Sequence, residues 1–566
     1  MKKMLFFLLS LWMAIVLQAQ PKQEIRAVWL TTNPNAVDWP TSKNETNQKS
    51  SLIEILDKLQ AANFNTILFQ VQSYGDVLWD SGIQPWSYHL TGTPGKAPNY
   101  DICAFAIEEC HKRNMEIHAW VVPYRVGSNS YVTKYDDCAL PHVYKVHPEM
   151  CVNYDNAWYL DPGLPEVRKY LVDLYETLVT KYEFDGINLD YTRYPHANFD
   201  DGDSFKKYGG GANRDDWRRE NINKFVYELY DMIKSHNPGM KLGVAPIGCY
   251  KRIPGYSGWY AYSDVFQDPC DWAEKGKIDL IIPQLYWDEN SGYSAHTKTW
   301  IDNCNGRQLV AGLAAYKMTE SPYWQTSVVI DQIEKMRKNN PATCGVSFFR
   351  TNYILGENAK IKDLYNQLKD NYFKYPAHIP VMPYNGVTKP DAPVNVKASV
   401  NTSTKESTIS WDVPEQDENN TSIRYYSVYI SESPDIEIDN VENQVAHIVK
   451  ENTFTYTLPD DKIYYFAVTA FDKGYYESGL SNVVKVSASA GLMDADIKPV
   501  RFIVEGDWLR IDTQETVVSV HIYALSGTLM AHGDISEINI GHLSRGAYIV
   551  VVTVNNGKII KYKMIK

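Results

Sequence analysis

The sequence predicts an α/β protein: a (β/α)8 TIM barrel followed by two small all-β sandwich domains. Three observations carry that expectation. Between Ile25 and Tyr372, short runs rich in Val, Ile and Phe alternate with longer amphipathic segments, the pattern of repeated βα units around a parallel sheet. There are eight such runs, the number that closes a barrel. Beyond Tyr372 the chain changes to strand-length alternation with no helical periodicity.

In order, the strand runs are 25–30, 66–71, 116–122, 186–190, 241–246, 280–286, 308–314 and 345–350. Each of the first seven is followed by a loop and a helix-like stretch, and residues 361–372 supply the eighth helix. A doubly wound open sheet would need a phosphate-binding glycine fingerprint after an early strand, and Ala27-Val28-Trp29-Leu30-Thr31-Thr32 has none. The barrel, 20–380, therefore predicts a site where strands end and their loops begin.

Tyr375-Pro376, Ile379-Pro380, Met382-Pro383 and Lys389-Pro390-Asp391-Ala392-Pro393 punctuate the connection from the barrel to the C-terminal region. Residues 391–488 contain Ser407-Thr408-Ile409-Ser410-Trp411, Tyr425-Tyr426-Ser427-Val428-Tyr429-Ile430 and Tyr464-Tyr465-Phe466-Ala467-Val468-Thr469-Ala470. This region resembles a fibronectin type III module, with Trp411 as core tryptophan and Tyr464 or Tyr465 near the tyrosine-corner position. Residues 497–566 contain Val518-Ser519-Val520-His521-Ile522-Tyr523, Ser526-Gly527 and Leu543-Ser544-Arg545-Gly546-Ala547-Tyr548 before a Lys-rich end. That region resembles the C-terminal sorting domain of the type IX secretion pathway in Bacteroidetes, which implies export or surface-attachment machinery as a partner.

At the other end, Met1-Lys2-Lys3, an apolar run over 5–17 and Leu17-Gln18-Ala19 read as a secretory signal peptide, residues 1–19. No later run approaches the ~18 uninterrupted apolar residues of a membrane span, so no integral membrane segment is expected after its removal. The expected address is the periplasm, cell surface or extracellular space. The charge, 56 − 68 = −12, disfavours nucleic acid as a partner. With 44% hydrophobic and 22% charged residues, wholesale disorder and a coiled-coil rod are excluded. The 41 Tyr and 15 Trp suit carbohydrate, because their rings pair an apolar face with a polar handle. The eight Cys show no C-x-x-C or zinc-ligand spacing, so neither a metal nor a cofactor is expected.

The strongest local signal is Phe184-Asp185-Gly186-Ile187-Asn188-Leu189-Asp190-Tyr191-Thr192-Arg193-Tyr194-Pro195. A short strand delivers Asp190 to its C-terminal end, with Asn188 on the same face and Arg193 and two tyrosines just beyond. Glycoside hydrolysis normally uses two carboxyl groups flanking the bond, so Asp190 needs a partner. Asp288 and Glu289 lie just past the sixth run, Asp76 follows the second, and Asp38 stands beside Trp39 after the first. Gln284 and Tyr286, like His118 and Trp120, alternate on their strands and so share a face. Arg125, following Tyr124, is suited to ligand carboxylates or acetamido groups, and Trp29, Trp120 and Trp287 to stacking on sugars.

These blocks stand among Glu24-Ile25-Arg26-Ala27-Val28-Trp29, Asp38-Trp39-Pro40, Pro85-Trp86-Ser87, His118-Ala119-Trp120, Pro123-Tyr124-Arg125, Leu160-Asp161-Pro162-Gly163, Asp216-Trp217-Arg218-Arg219 and Pro283-Gln284 with Tyr286-Trp287. In that order, over about 24 to 372, they resemble the glycosyl hydrolase-like 10 family. The resemblance implies a bacterial (β/α)8 glycosidase, in a group that includes envelope enzymes cutting peptidoglycan glycan strands stripped of stem peptides. Members often carry two adjacent acids at the end of strand four, where this chain has Asp190 followed by Tyr191. The expected activity is O-glycosidic cleavage, with Asp190 as nucleophile or transition-state stabiliser and Asp288, Glu289 or Asp76 as acid. The alternatives are a non-catalytic carbohydrate-binding surface protein and a metal-dependent hydrolase; for the latter, His118, His142, His147 and His196 lack ligand spacing.

Overall fold

Eight parallel strands close on themselves between residues 25 and 348. They are β1 (Ile25–Leu30), β2 (Thr66–Tyr74), β3 (Glu116–Val121), β4 (Gly186–Asp190), β5 (Lys241–Ala245), β6 (Leu280–Ile281), β7 (Gln308–Leu313) and β8 (Thr343–Phe348). Each pairs with the next, and β1 also pairs with β8, so the sheet closes as the eight runs predict. The computed structural model describes residues 20–33, 36–339, 343–382, 389–414, 423–488, 500–513, 516–533, 536–555 and 559–566. The expected signal peptide, 1–19, lies outside the described residues. The chain divides into two compact units, residues 1–385 and 386–566.

Outer helices follow the strands: α1 (Glu45–Ala61), α2 (Ile102–Lys112), α3 (Pro165–Lys181), α4 (Arg214–His236), α5 (Pro269–Glu274), α6 (Tyr293–Asn303), α7 (Thr326–Asn339) and α8 (Ala359–Gln367). Their starts are written locally. Asn44 caps α1, Asp101 caps α2 and Asn213 caps α4, each accepting backbone N–H groups of the first turn. Asp215 and Asp216 then complement the α4 N-terminus.

Strand alternation sorts side chains between two cores. Ile187 and Leu189 of β4, and Leu242 and Val244 of β5, join the core facing the helices. The intervening residues point into the barrel. Lys241 pairs there with Glu116 at 2.9 Å, and His118 Nε2 lies 3.2 Å from the same carboxylate. One layer higher, Trp120, Asn188 and Gly243 stand in register, and Asp190 aligns with Ala245 where β4 and β5 end.

Three elements differ from the sequence expectation. β6 has only two ladder residues, because Pro283 lacks an N–H; Gln284 continues the line through isolated bridges to Ile247 and Gly312. β2 runs on to Tyr74 and folds back through Asp76–Val77. After β3, Arg125–Ser128 joins Ala157–Leu160 and Cys151–Tyr154 in a separate antiparallel sheet. All eight cysteines are free thiols.

In the second unit, Val394–Asn401, Glu406–Asp412 and Thr453–Thr457 form one antiparallel sheet. Gln444–Val449, Ile423–Ser431, Ile463–Asp472 and Val484–Ser487 form another, and Trp411, Tyr426, Val428 and Phe466 share the core between them. Tyr464 donates its hydroxyl to the Asp460 side chain at 2.9 Å. A further three-stranded sheet (Arg501–Glu505, Trp508–Asp512, Glu537–Asn539) and four-stranded sheet (Leu529–Gly533, Val517–Ala524, Ala547–Val554, Ile559–Ile565) enclose Leu509, Ile511, Val520, Ile522 and Val550.

Candidate active site

β4 presents Asp190 at its last position, on the face that Asn188 shares, and leaves it 5% exposed. Its Oδ1 accepts the Tyr191 backbone N–H at 2.8 Å and the Gln284 side-chain amide at 3.3 Å. The Trp120 indole N–H lies near enough to favour the carboxylate without closing a hydrogen bond. Burial is the largest influence and pushes the carboxyl up to about 6, partly offset by the Arg193 charge and these donors. Asp190 can therefore hold either a proton or a charge near neutrality.

Aromatic rings on β1 and β3 and just beyond β6 and β8 form a connected cluster that reaches it through Trp120 and Tyr286. Trp29 meets Trp120 edge to face at 4.8 Å and donates to Ser347 Oγ at 3.3 Å. Phe349, just past β8, lies 6.4 Å from Trp120 and 6.2 Å from Tyr286. Tyr286 feels the Asp190 charge, which with burial raises its phenol far above the ordinary range. Asn188 is fully buried beneath, over Gly243, and neither of its amide atoms has a partner among the described residues.

Beyond Asp190, Tyr191 adopts φ +50° and remains 45% exposed. The Arg193 guanidinium lies 4.4 Å from the Tyr191 ring and 5.3 Å from that of Trp259. Arg125 lies 5.1 Å over Tyr74, and its backbone pairs with Tyr159. The structure thus brings together Asp190, Trp29, Trp120, Gln284, Tyr286, Arg125 and Arg193. Sequence reasoning did not single out Tyr74, Trp259 or Phe349; an aromatic directly past a strand end was the signal for Phe349, and Gly258-Trp259-Tyr260 for Trp259.

The other candidates are held elsewhere. Asp288 accepts Ser291 N–H at 2.9 Å and caps a short turn. Glu289 is exposed, pairs with Lys335 at 2.8 Å and accepts Ser294 Oγ at 2.7 Å. Its modest desolvation is outweighed by these donors, so its carboxyl falls below the ordinary range. Trp287 covers Gly248 and lies 5.0 Å from His296. Tyr124 packs in the helix-facing core against Phe225, and His118 belongs to the Lys241–Glu116 layer of the barrel floor.

Asp76 and Asp38 are buried and engaged. Asp76 accepts the phenols of Tyr131, at 2.6 Å, and Tyr135. Burial raises its carboxyl despite those donors. Asp38 is pushed to about 6 by burial, against the pull of its partner Arg350. Among the described residues, no group of three or more His, Cys, Asp and Glu side chains could hold a metal ion, and no helix is long and apolar enough to cross a membrane.

The glycosyl hydrolase YngK of Bacillus subtilis (strain 168) is 31% identical over 486 residues, covering 82% of this chain and 93% of YngK. The glycosyl hydrolase DigH of Escherichia coli (strain K12) is 32% identical over 372 residues, covering 59% of this chain and 84% of DigH. Among solved structures, the PgaB (BpsB) glycoside hydrolase domain from Bordetella bronchiseptica aligns with a TM-score of 0.44 at 10% identity, covering 62% of this chain and 98% of that one. Residues 24–329, more than half of the 566, match the glycosyl hydrolase-like 10 family, and the chain belongs to it.

Proposed function

We propose that the protein is an exported glycoside hydrolase that cleaves O-glycosidic bonds in a bacterial envelope glycan, the glycan strand of peptidoglycan foremost. The observation that carries this reading is Asp190: a buried carboxyl at a barrel-strand end, pushed to about 6, among aromatic rings and amide donors. The Arg193 charge and the N–H groups of Tyr191, Gln284 and Trp120 all favour its charged form, which suits a carboxylate that attacks or steadies an oxocarbenium-like centre. Asp288 and Glu289 are committed to a cap and an ion pair, so Asp76 takes the role of proton holder. It stands behind the cleft wall: Tyr131, which donates to it, meets the Tyr74 ring at 4.8 Å, and Arg125 lies over Tyr74.

The relatives' designation as glycosyl hydrolases supports the reaction class. Export is supported by the leader pattern of residues 1–19 and by the resemblance of 497–566 to a sorting domain; the three-on-four sheets of 394–487 suit a fibronectin-type spacer. A second reading, a non-catalytic glycan binder, is favoured by one observation: Asp76 and Asp38 are both covered by side-chain partners.

Sugar release by residues 20–566 from peptidoglycan strands with and without peptides, host glycans and plant polysaccharides separates the two. The expected result is cleavage of peptide-free strands, reduced on the order of 10³-fold by Asp190→Asn and ~10²-fold by Asp76→Asn. Asp288→Asn and Glu289→Gln should stay near the parent rate. If a strand is retained by both parent and Asp190→Asn but never cut, the binder takes the hydrolase's place.

A further inference from the structure

Most guanidinium groups of the barrel that are largely buried have a carboxylate. Arg218 pairs with Asp201, Arg337 with Glu24, Arg350 with Asp38 and Arg113 with Glu109. Arg193, which acts on Asp190, and Arg125, which with it acts on Tyr191, break that pattern. Arg193 is 6% exposed, its Nη1 is buried with no hydrogen-bond partner among the described residues, and its guanidinium lies against the Tyr191 and Trp259 rings. Arg125 is half-buried, and its Nε is buried over Tyr74 with no hydrogen-bond partner among the described residues. In a chain with twelve more acidic than basic residues (68 − 56), carboxylates are not scarce. Burying a guanidinium without a directed acceptor is costly, so the arrangement is unfavourable until something supplies one.

Both cations act on the same tyrosines. Arg193 and Arg125 each influence the phenols of Tyr191 and Tyr159, and Arg125 faces Tyr159 across the antiparallel ladder. Asp190 tempers Arg193 at a distance but does not hydrogen-bond it. The open side of this cleft carries the half-exposed rings of Tyr191 and Trp259, flat faces on which a sugar can lie.

We propose that Arg193 and Arg125 form an anionic subsite that reads a carboxylate borne by the glycan next to the scissile bond. This rests on the glycosidase reading of the same mouth and narrows its substrate to an acidic polymer. Two sources share that chemistry: the free lactyl ether acid of a peptide-free peptidoglycan strand, and the C6 acid of a uronate polymer. Amide-linked stem peptides abolish the first.

The test compares full-length mature protein on three polymers: peptide-free peptidoglycan strands, the same strands with carboxyls converted to methylamides, and a polyuronate. The expected result is a kcat/KM for the acid strand about tenfold or more above that for its amide, the scale of a charge-assisted hydrogen bond. In Arg193→Gln that ratio falls toward one, with Arg193→Lys restoring part of it; Arg125→Gln repeats the test if Arg193→Gln does not fold. Cleavage of the polyuronate instead of the strands assigns the acid to the second source. Equal rates on acid and amide, or a pH profile displaced in Arg193→Gln with the ratio unchanged, overturn the proposal and leave Arg193 as a positioning residue for Asp190. If nothing is cut, fluorescence titration of the parent with acid and amide strands decides independently. Tighter binding of the acid keeps the subsite while the hydrolase reading falls, and equal binding sinks the subsite itself.

Discussion

Asp190 illustrates what a single position can carry. Its carboxyl is raised from 3.8 to about 6 because burial removes water faster than Gln284, Tyr191 and Arg193 replace it. Such a group is ionised at pH 7 at the expense of stability: the cost is full above about pH 6 and vanishes below about pH 4, where folded and unfolded chains are both protonated. Asp190→Asn should therefore stabilise the barrel by up to about 3 kcal/mol at pH 7.5 and by almost nothing at pH 4. Urea midpoints at the two pH values check this, and equal midpoints at pH 7.5 would sink it. The same ionisation governs rate. With the charged form as the working one, kcat/KM should fall about tenfold per pH unit below about pH 6, and a pH-independent rate between 5 and 7 would count against Asp190 as the reacting carboxylate. Asp190 was legible because strand alternation sets its direction within five residues. Which of Asp288, Glu289 and Asp76 partners it was not, since their directions are set by partners away from the strand pattern: Lys335 for Glu289, and Tyr131 and Tyr135 for Asp76.

The strands were legible for a related reason: an apolar run bounded by turn residues declares itself locally. All eight expected runs overlap barrel strands; most ends differ by a few residues, the sixth most, where Pro283 breaks the ladder. The seam where β1 meets β8 depends on something the pattern does not announce. Gly345 has φ +139°, at a register shift where Leu309 pairs with Thr343 and Val310 with Gly345. A Cβ there would stand 1.9 Å from the Ile25 carbonyl oxygen, which is itself part of the closing ladder. Gly345→Ala should cost about 3 kcal/mol or more, from both the backbone conformation and the overlap. Chemical denaturation of the barrel measures it; an unchanged midpoint would mean that the seam shifts freely. Gly243 offers a milder comparison, since the closest atom a Cβ there meets is the Asn188 side-chain oxygen, at 2.4 Å.

The change of grammar after Tyr372 was enough to foresee that a barrel gives way to antiparallel sheets. What the pattern could not say is which parts the site needs. The barrel core runs from Val28 to Phe373 as one cluster, and every residue assembled around Asp190 falls between Trp29 and Phe349. The sheets of the second unit enclose cores of their own. Residues 20–385 should accordingly fold alone and show the kcat/KM of the longer chain on short soluble glycans, while residues 20–566 unfold in more than one transition, as independent cores require. Calorimetry of both proteins, with rates on an oligosaccharide short enough to occupy only the mouth, is the check. A fragment that folds but loses rate would place part of the site in residues 386–566, and one that fails to fold would make the second unit a condition of the barrel's stability. If rates agree on the short glycan but diverge on long strands, the second unit acts by holding polymer near a mouth that is chemically complete without it.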